Sequence, residues 1–349
     1  MGDSERRNVI VVGAGASQEF GLPTGAQLAE ILQSDLNYLF DDFGTLRGSS
    51  GDSHLTRALK QFSIECEVRP EVLMNIGAQI SRNMILAPSI DNYLDTHRTN
   101  PELVSVGKIA IANAIAKAER SSSLNIDTSN TRNRVNFHRT LDSWVAVFFK
   151  ICATKRDFEA FVRTLLNTTF VSFNYDRCVK QFFLNAAISY FDLDNVGANR
   201  VSDAIEVLHP YGSIGEIEIE FDRTKGFGFE PYPSHIIAAS KRIRTFTEGV
   251  SDNLISNTIR KTVGNAEVLI FLGFSFIDIN MQAIVPKNGN AQRILATAKG
   301  RSNDTKSRLQ SQLATQFTRS GSTADVEMFD GKCFELFYEF DHFLINSQP

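Results

Sequence analysis

The chain has 349 residues, 42% apolar and 22% charged, with a formal net charge of −4 from 36 Lys and Arg against 40 Asp and Glu. That length exceeds one ordinary core and implies two domains, or one domain with a large insertion. The charge balance excludes a chain-wide basic footprint, so direct nucleic-acid binding is not expected.

In chain order, the first seven residues lack the apolar core of a signal peptide. Asn8–Val12 is a β-branched run that ends in Gly13-Ala14-Gly15-Ala16-Ser17. A continuous apolar strand of this kind suits a parallel sheet covered on both faces. After Gly21-Leu22-Pro23, the positions Leu28, Ile31, Leu32, Leu36 and Leu39 recur with a helical period. Residues 41–54, rich in Gly, Ser and Asp, predict a loop. Helical patterning fills 55–118, with Ser89 or Asp91 as an N-cap inside it. Residues 119–136 are polar and predict an exposed, mobile loop; 137–166 is helical again. Further strands are predicted at 168–173, 204–208, 267–272 and 324–329. No apolar run approaches the ~18 residues of a membrane span. The fold class is α/β: a Rossmann-like parallel sheet with helices on both faces and a large helical insertion.

Four of the strands end in clusters of Gly, Asn, Asp, His or Ser, where open α/β sheets bind ligands. In the first cluster, glycines let backbone amides approach phosphate oxygens at a helix start; an ordinary tight turn reads the same way. The dinucleotide fingerprint wants a third glycine where Gln18 stands, which weakens a dehydrogenase reading. In Phe173-Asn174-Tyr175-Asp176, Asn174 and Asp176 suit a ribose and a water, or simply cap the next helix. His209-Pro210-Tyr211-Gly212-Ser213 offers a histidine for a sugar hydroxyl, or a structural turn. The fourth cluster runs from Gly273 and Ser275 to Asp278 and Asn280. Cys66, Cys152, Cys178 and Cys333 include no Cys-x-x-Cys pair, and the histidines show no ligand spacing, so no metal site is expected. The thiols read as reduced, in a cytoplasmic protein.

Together these motifs resemble the sirtuin-like NAD-binding family. Sirtuins carry G-A-G-x-S followed by G-[IL]-P, matched by Gly13, Ala14, Gly15, Ser17 and Gly21-Leu22-Pro23. Their T-Q-N-x-D is matched by Ser172-Phe173-Asn174-Tyr175-Asp176, and their late G-x-S by Gly273-Phe274-Ser275. Three departures stand out. The zinc-binding Cys pairs of the deacylases have no counterpart between Cys178 and Cys333, Phe173 replaces the family's Gln, and Tyr211 stands where the family places its histidine. Either His209 reaches the ribose from a longer turn, or the site binds without turnover. The helical insertion, the Ser89-Ile90-Asp91 step and the segment from Gly273 to Asn280 look like the zinc-free bacterial branch of anti-phage systems, whose members hydrolyse NAD to nicotinamide and ADP-ribose.

The resemblance implies an NAD-binding α/β domain over 1–34 and 165–349, with 35–164 as a helical insertion subdomain. It implies NAD as substrate and catalytic roles for Asn174, Asp176 and His209. Gly13, Ala14, Gly15, Ser17, Pro23, Tyr211, Gly212, Gly273, Ser275 and Asp278 are expected to bind the dinucleotide. It further implies a homo-oligomer and a defence partner such as a HerA-type ATPase. Competing readings are a non-catalytic NAD or ADP-ribose sensor and a zinc-free deacylase or ADP-ribosyltransferase.

Overall fold

The computed structural model describes residues 7–340, other than 42–44, 128, 131–132, 221–222, 252 and 320. Six strands form one sheet: β1 (Asn8–Val12), β2 (Thr168–Ser172), β3 (Glu206–Leu208), β4 (Val268–Leu272), β5 (Arg293–Thr297) and β6 (Asp325–Phe329). Every neighbouring pair is parallel, in the order β3-β2-β1-β4-β5-β6. This is the order of doubly wound dinucleotide-binding sheets. The strand sequence reverses between β1 and β4, which opens a crevice at their carboxyl ends.

Alternation along the strands divides the core. Val9, Val11, Val171, Leu269 and Phe271 join one cluster, and Ile10, Val12, Phe170, Ile270 and Leu272 the other. The first face shares its core with helices Ser53–Glu65, Pro70–Asn83, Pro101–Ser121, Asn253–Asn265 and Asn303–Phe317. The second shares its core with Trp144–Ala153, Phe158–Leu166, Cys178–Phe191 and Cys333–Glu339. The helices between β1 and β2 therefore serve both faces of the sheet. Local chemistry fixes their starts: Thr24 and Gln27 form a reciprocal capping box, and Ser89 accepts from the Asn92 amide at 3.1 Å.

The structure departs from the sequence reading in several places. The helix after Pro23 ends at Asp35, so Leu39, read into its apolar stripe, is exposed in strand Tyr38–Phe40, and strands Glu218–Glu220 and Arg223–Lys225 pair where none was predicted. Residues 41–54 contain a strand, Leu46–Ser49, paired antiparallel with Tyr38–Phe40; residues 42–44 lie outside the described residues. Strand β5 has no counterpart among the predicted strands. The stretch 119–136 is not an exposed loop throughout: Glu119 closes the long helix fully buried, and Leu124, Ile126 and Val135 are buried too. Its polar composition misleads because Glu119 is polar for an internal partner, not for water. Among the described residues no helix is long and apolar enough to cross a membrane.

Candidate active site

Because β1 pairs in register with both β2 and β4, Val12 lies opposite Ser172 and Leu272. The residues that follow these three strands emerge side by side. Gly13 N donates to Leu272 O at 2.9 Å, Gly15 N to Gly273 O at 3.2 Å, and Phe173 N to Val12 O at 2.9 Å. The Gly13 and Gly15 amides are thus committed to neighbouring strand ends rather than to a ligand. The turns touch so closely that only glycine fits. A Cβ on Gly13 would lie 2.4 Å from Gly273 O, and one on Gly273 would lie 2.2 Å from Ala16 N.

Asn174 is buried beneath this turn. Its Nδ2 donates to Gly13 O at 3.0 Å and to Ser17 Oγ at 2.8 Å. Both amide hydrogens are spent on the glycine turn, which leaves Oδ1 as the acceptor of the side chain; Asn174 itself lines neither the small cavity nor the cleft described below. His209 stands half-buried after β3, and its Nδ1 lies 3.0 Å from Asn174 O. A carbonyl only accepts, so Nδ1 carries the proton and Nε2 holds the lone pair. Burial lowers the imidazole below its ordinary value of 6.5, against the raising effects of the Asn174 carbonyl and of Asp176. His209 is therefore a neutral base at physiological pH. Asp176 Oδ1 accepts from Cys178 N, the first amide of the following helix, at 3.0 Å, but the N-cap position is Arg177, which makes no side-chain capping bond. Asp176 and His209 line one small cavity of about 120 Å³, together with Ser172, Arg177, Ser213 and Glu216.

On the other side of the glycine turn lies a cleft of about 580 Å³. Gly15 and Gly273 form part of its wall, and Thr297, Lys299, Arg301 and Lys332 bring hydroxyl and cationic groups from the ends of β5 and β6. Sequence reasoning missed Thr297, Lys299 and Arg301 because β5 itself was missed, and missed Lys332 although β6 was predicted. The short apolar run Ile294-Leu295-Ala296, between Gly289 and Gly300, was the available signal for β5.

Glu19 lines the same cleft. Its carboxylate accepts from Trp144 N at 2.7 Å and Phe334 N at 3.2 Å, and so joins two helix starts to the glycine turn. Burial nevertheless pushes it up to about 7, from 4.5 when free. The native state then binds this proton more tightly than the unfolded chain, so stability falls as pH rises from 4.5 to 7. The expected loss reaches up to about 3 kcal/mol above that window. Urea titrations across these pH values should show a steeper decline for the wild type than for Glu19→Gln. Parallel slopes would contradict it.

Of the remaining expected site residues, Ala14 opens the one-turn helix after β1. Tyr211 is buried away from the small cavity. Its hydroxyl donates to Asn280 Oδ1 at 2.8 Å, and its ring meets Phe173 edge-on at 5.6 Å. Gly212 packs on the Arg242 carbonyl, where a Cβ would come within 2.0 Å. Ser275 and Asp278 are exposed and line neither the cavity nor the cleft. Pro23 borders a separate surface hollow between helices Gly25–Asp35 and Pro101–Ser121.

Residues 168–319 match the SIR2-like domain family, which supports a sirtuin-like relationship. No curated protein matches the chain. The matched stretch contains Asn174, Asp176, His209 and Gly273, while the glycine turn that anchors Asn174 reaches them through the sheet. SIR2-like domains bind NAD, and the match fits NAD-dependent activity in general. Among the described residues no group of three or more His, Cys, Asp or Glu is arranged to hold a metal ion.

Proposed function

We propose that this chain is an NAD+ hydrolase that cleaves the nicotinamide–ribose bond to give nicotinamide and ADP-ribose. The observation that carries the reading is Asn174, held by both amide hydrogens to the glycine turn while its own carbonyl fixes the tautomer of His209. In this reading 1–34 and 165–349 form the NAD-binding unit, with 35–164 inserted into it. The adenosine diphosphate half lies in the cleft near Gly273, where Lys299, Arg301 and Lys332 offset the pyrophosphate charge. The nicotinamide ribose lies across the glycine turn, at Asn174 and the small cavity.

The chemistry asks little of an acid. Nicotinamide leaves as a neutral molecule from a pyridinium, through an oxocarbenium-like state at the ribose. Asn174 Oδ1 accepts a hydrogen bond from the attacking water and orients it. His209 Nε2 takes the proton that water releases on forming the bond to the ribose carbon. Asp176, beside the same cavity, stabilises the developing positive charge.

Incubation with NAD, followed by chromatography of nicotinamide and ADP-ribose, tests the reading. Because His209 must be neutral and its value lies below 6.5, the acid limb of kcat/KM should fall below pH 6.5. An acid limb above that pH, abolished in His209→Gln, would contradict the assigned environment. NAD retained without release of nicotinamide would favour a sensor instead. The burial of Tyr211 in the family histidine's place speaks for that second reading.

The likeness to the anti-phage branch extends the proposal to a triggered, oligomeric defence effector with a partner such as a HerA-type ATPase. The assay is therefore run alone and with the neighbouring gene product. A zinc-free deacylase or ADP-ribosyltransferase would release nicotinamide only when a protein acceptor is present.

A further inference from the structure

Asp176 has two sequence neighbours, and each is held by a carboxylate from the helices between β1 and β2. Tyr175 OH donates to Asp91 Oδ1, near the start of helix Ile90–Thr96. Arg177 is held by Glu119, in the last turn of helix Pro101–Ser121. Both Glu119 and Arg177 are buried.

Glu119 accepts four hydrogen bonds. Oε1 takes the Arg177 backbone N–H at 3.0 Å and Nε at 3.1 Å; Oε2 takes the guanidinium and the Gly228 amide, the latter at 3.0 Å. The other side of the guanidinium donates to Glu216 O at 3.0 Å. It also sits 5.8 Å from the Phe227 ring centre and 5.7 Å from that of Phe229. Arg177 and Glu216 line the cavity that holds Asp176 and His209. One carboxylate thus fixes both the turn that carries Asp176 and the loop that walls the cavity.

A buried ion pair adds little net stability over apolar residues of similar volume, so its main value here is positional. We propose that Glu119 is a positioning residue through which the helical insertion sets the geometry of the small cavity around Asp176 and His209. A displacement of the insertion then reaches the site through this carboxylate. The activity arm of the test rests on the NAD hydrolase reading; the exchange arm does not.

The test uses the full chain with Glu119→Asp and with the double variant Glu119→Leu/Arg177→Met. The double variant removes both charges together and leaves no unpaired ion, so it is expected to fold. Amide hydrogen exchange should accelerate at least tenfold over residues 213–219 and 226–229 in the double variant, with helix Pro70–Asn83 unchanged. NAD turnover should fall in kcat by about 10²-fold, while KM changes less than about threefold, because the cleft at Lys299 and Arg301 is untouched. Glu119→Asp should retain part of both properties. Wild-type exchange over those loops in the folded double variant would overturn the proposal, as would wild-type kcat. If the wild type itself releases no nicotinamide, the hydrolase reading fails and the exchange result alone decides the role of Glu119.

Discussion

Asn174→Ala should abolish release of nicotinamide, lowering kcat by about 10²–10⁴-fold, while the protein remains folded. The side chain does two jobs with separate atoms. Its nitrogen bridges Gly13 O and Ser17 Oγ, and its oxygen is left for the water. Truncation removes the acceptor outright. It also takes the Asn174 donor from Ser17 Oγ, while Gly13 O keeps the Ala16 amide, at a cost of about 1–3 kcal/mol. That is a fraction of the stability of an ordinary domain, so the activity loss dominates. His209 keeps its anchor, because that anchor is the backbone carbonyl of residue 174 and survives the substitution. Single-turnover assays with circular dichroism and NAD titration separate the effects. Loss of turnover with retained binding is the expected pattern. Wild-type turnover in a folded variant would sink the assignment of Asn174.

A large effect on stability is expected at Gly273. It lies at φ +54°, and a Cβ there would sit 2.2 Å from Ala16 N and 2.4 Å from Gly15 C. These are backbone atoms of the one-turn helix, with no flexible side chain to yield. Overpacking of a rigid site costs about 1–3 kcal/mol, and the left-handed backbone adds about 1–2 kcal/mol for a residue with a side chain. Gly273→Ala should therefore lose about 3 kcal/mol and lower Tm by roughly 5–10 °C. The matched control is Gly300→Ala, at φ +72° with nothing within 4 Å of the added carbon. It carries only the conformational term and should lose about 1 kcal/mol. Equal losses in calorimetry would show that backbone angle, not close approach, governs the position. A shifted turn would also move Gly13 O, so Gly273→Ala should be impaired in turnover even below its melting temperature.

How much of this was legible beforehand differs by element. Strand β1 and its glycine turn, β2 with Asn174 and β4 with Gly273 are short-range patterns: a continuous apolar run, then residues that suit a turn. Strand β5, and with it the Thr297, Lys299 and Arg301 side of the cleft, escaped because its ends, Arg293 and Thr297, are polar and leave an apolar run shorter than that of β1 or β4. The interior of 119–126 was misjudged because composition counts Glu119 as a solvent-seeking charge. Whether a charge is solvated or paired depends on a partner 58 residues away.

The sequence by itself determined the strands that carry polar ends, the parallel α/β class and the set of residue types offered at those ends, because each follows from local spacing. It could not decide which of those residues meet. That depended on the register of β1 between β2 and β4, which places Gly13, Phe173 and Gly273 side by side. Only then does Asn174 bridge the glycine turn and His209, while Tyr211, two residues from that histidine, turns into an aromatic contact with Phe173. The physical reason is that hydrogen bonds and close contacts between distant segments are set by strand pairing and core packing, and neither is written in the spacing of any single motif.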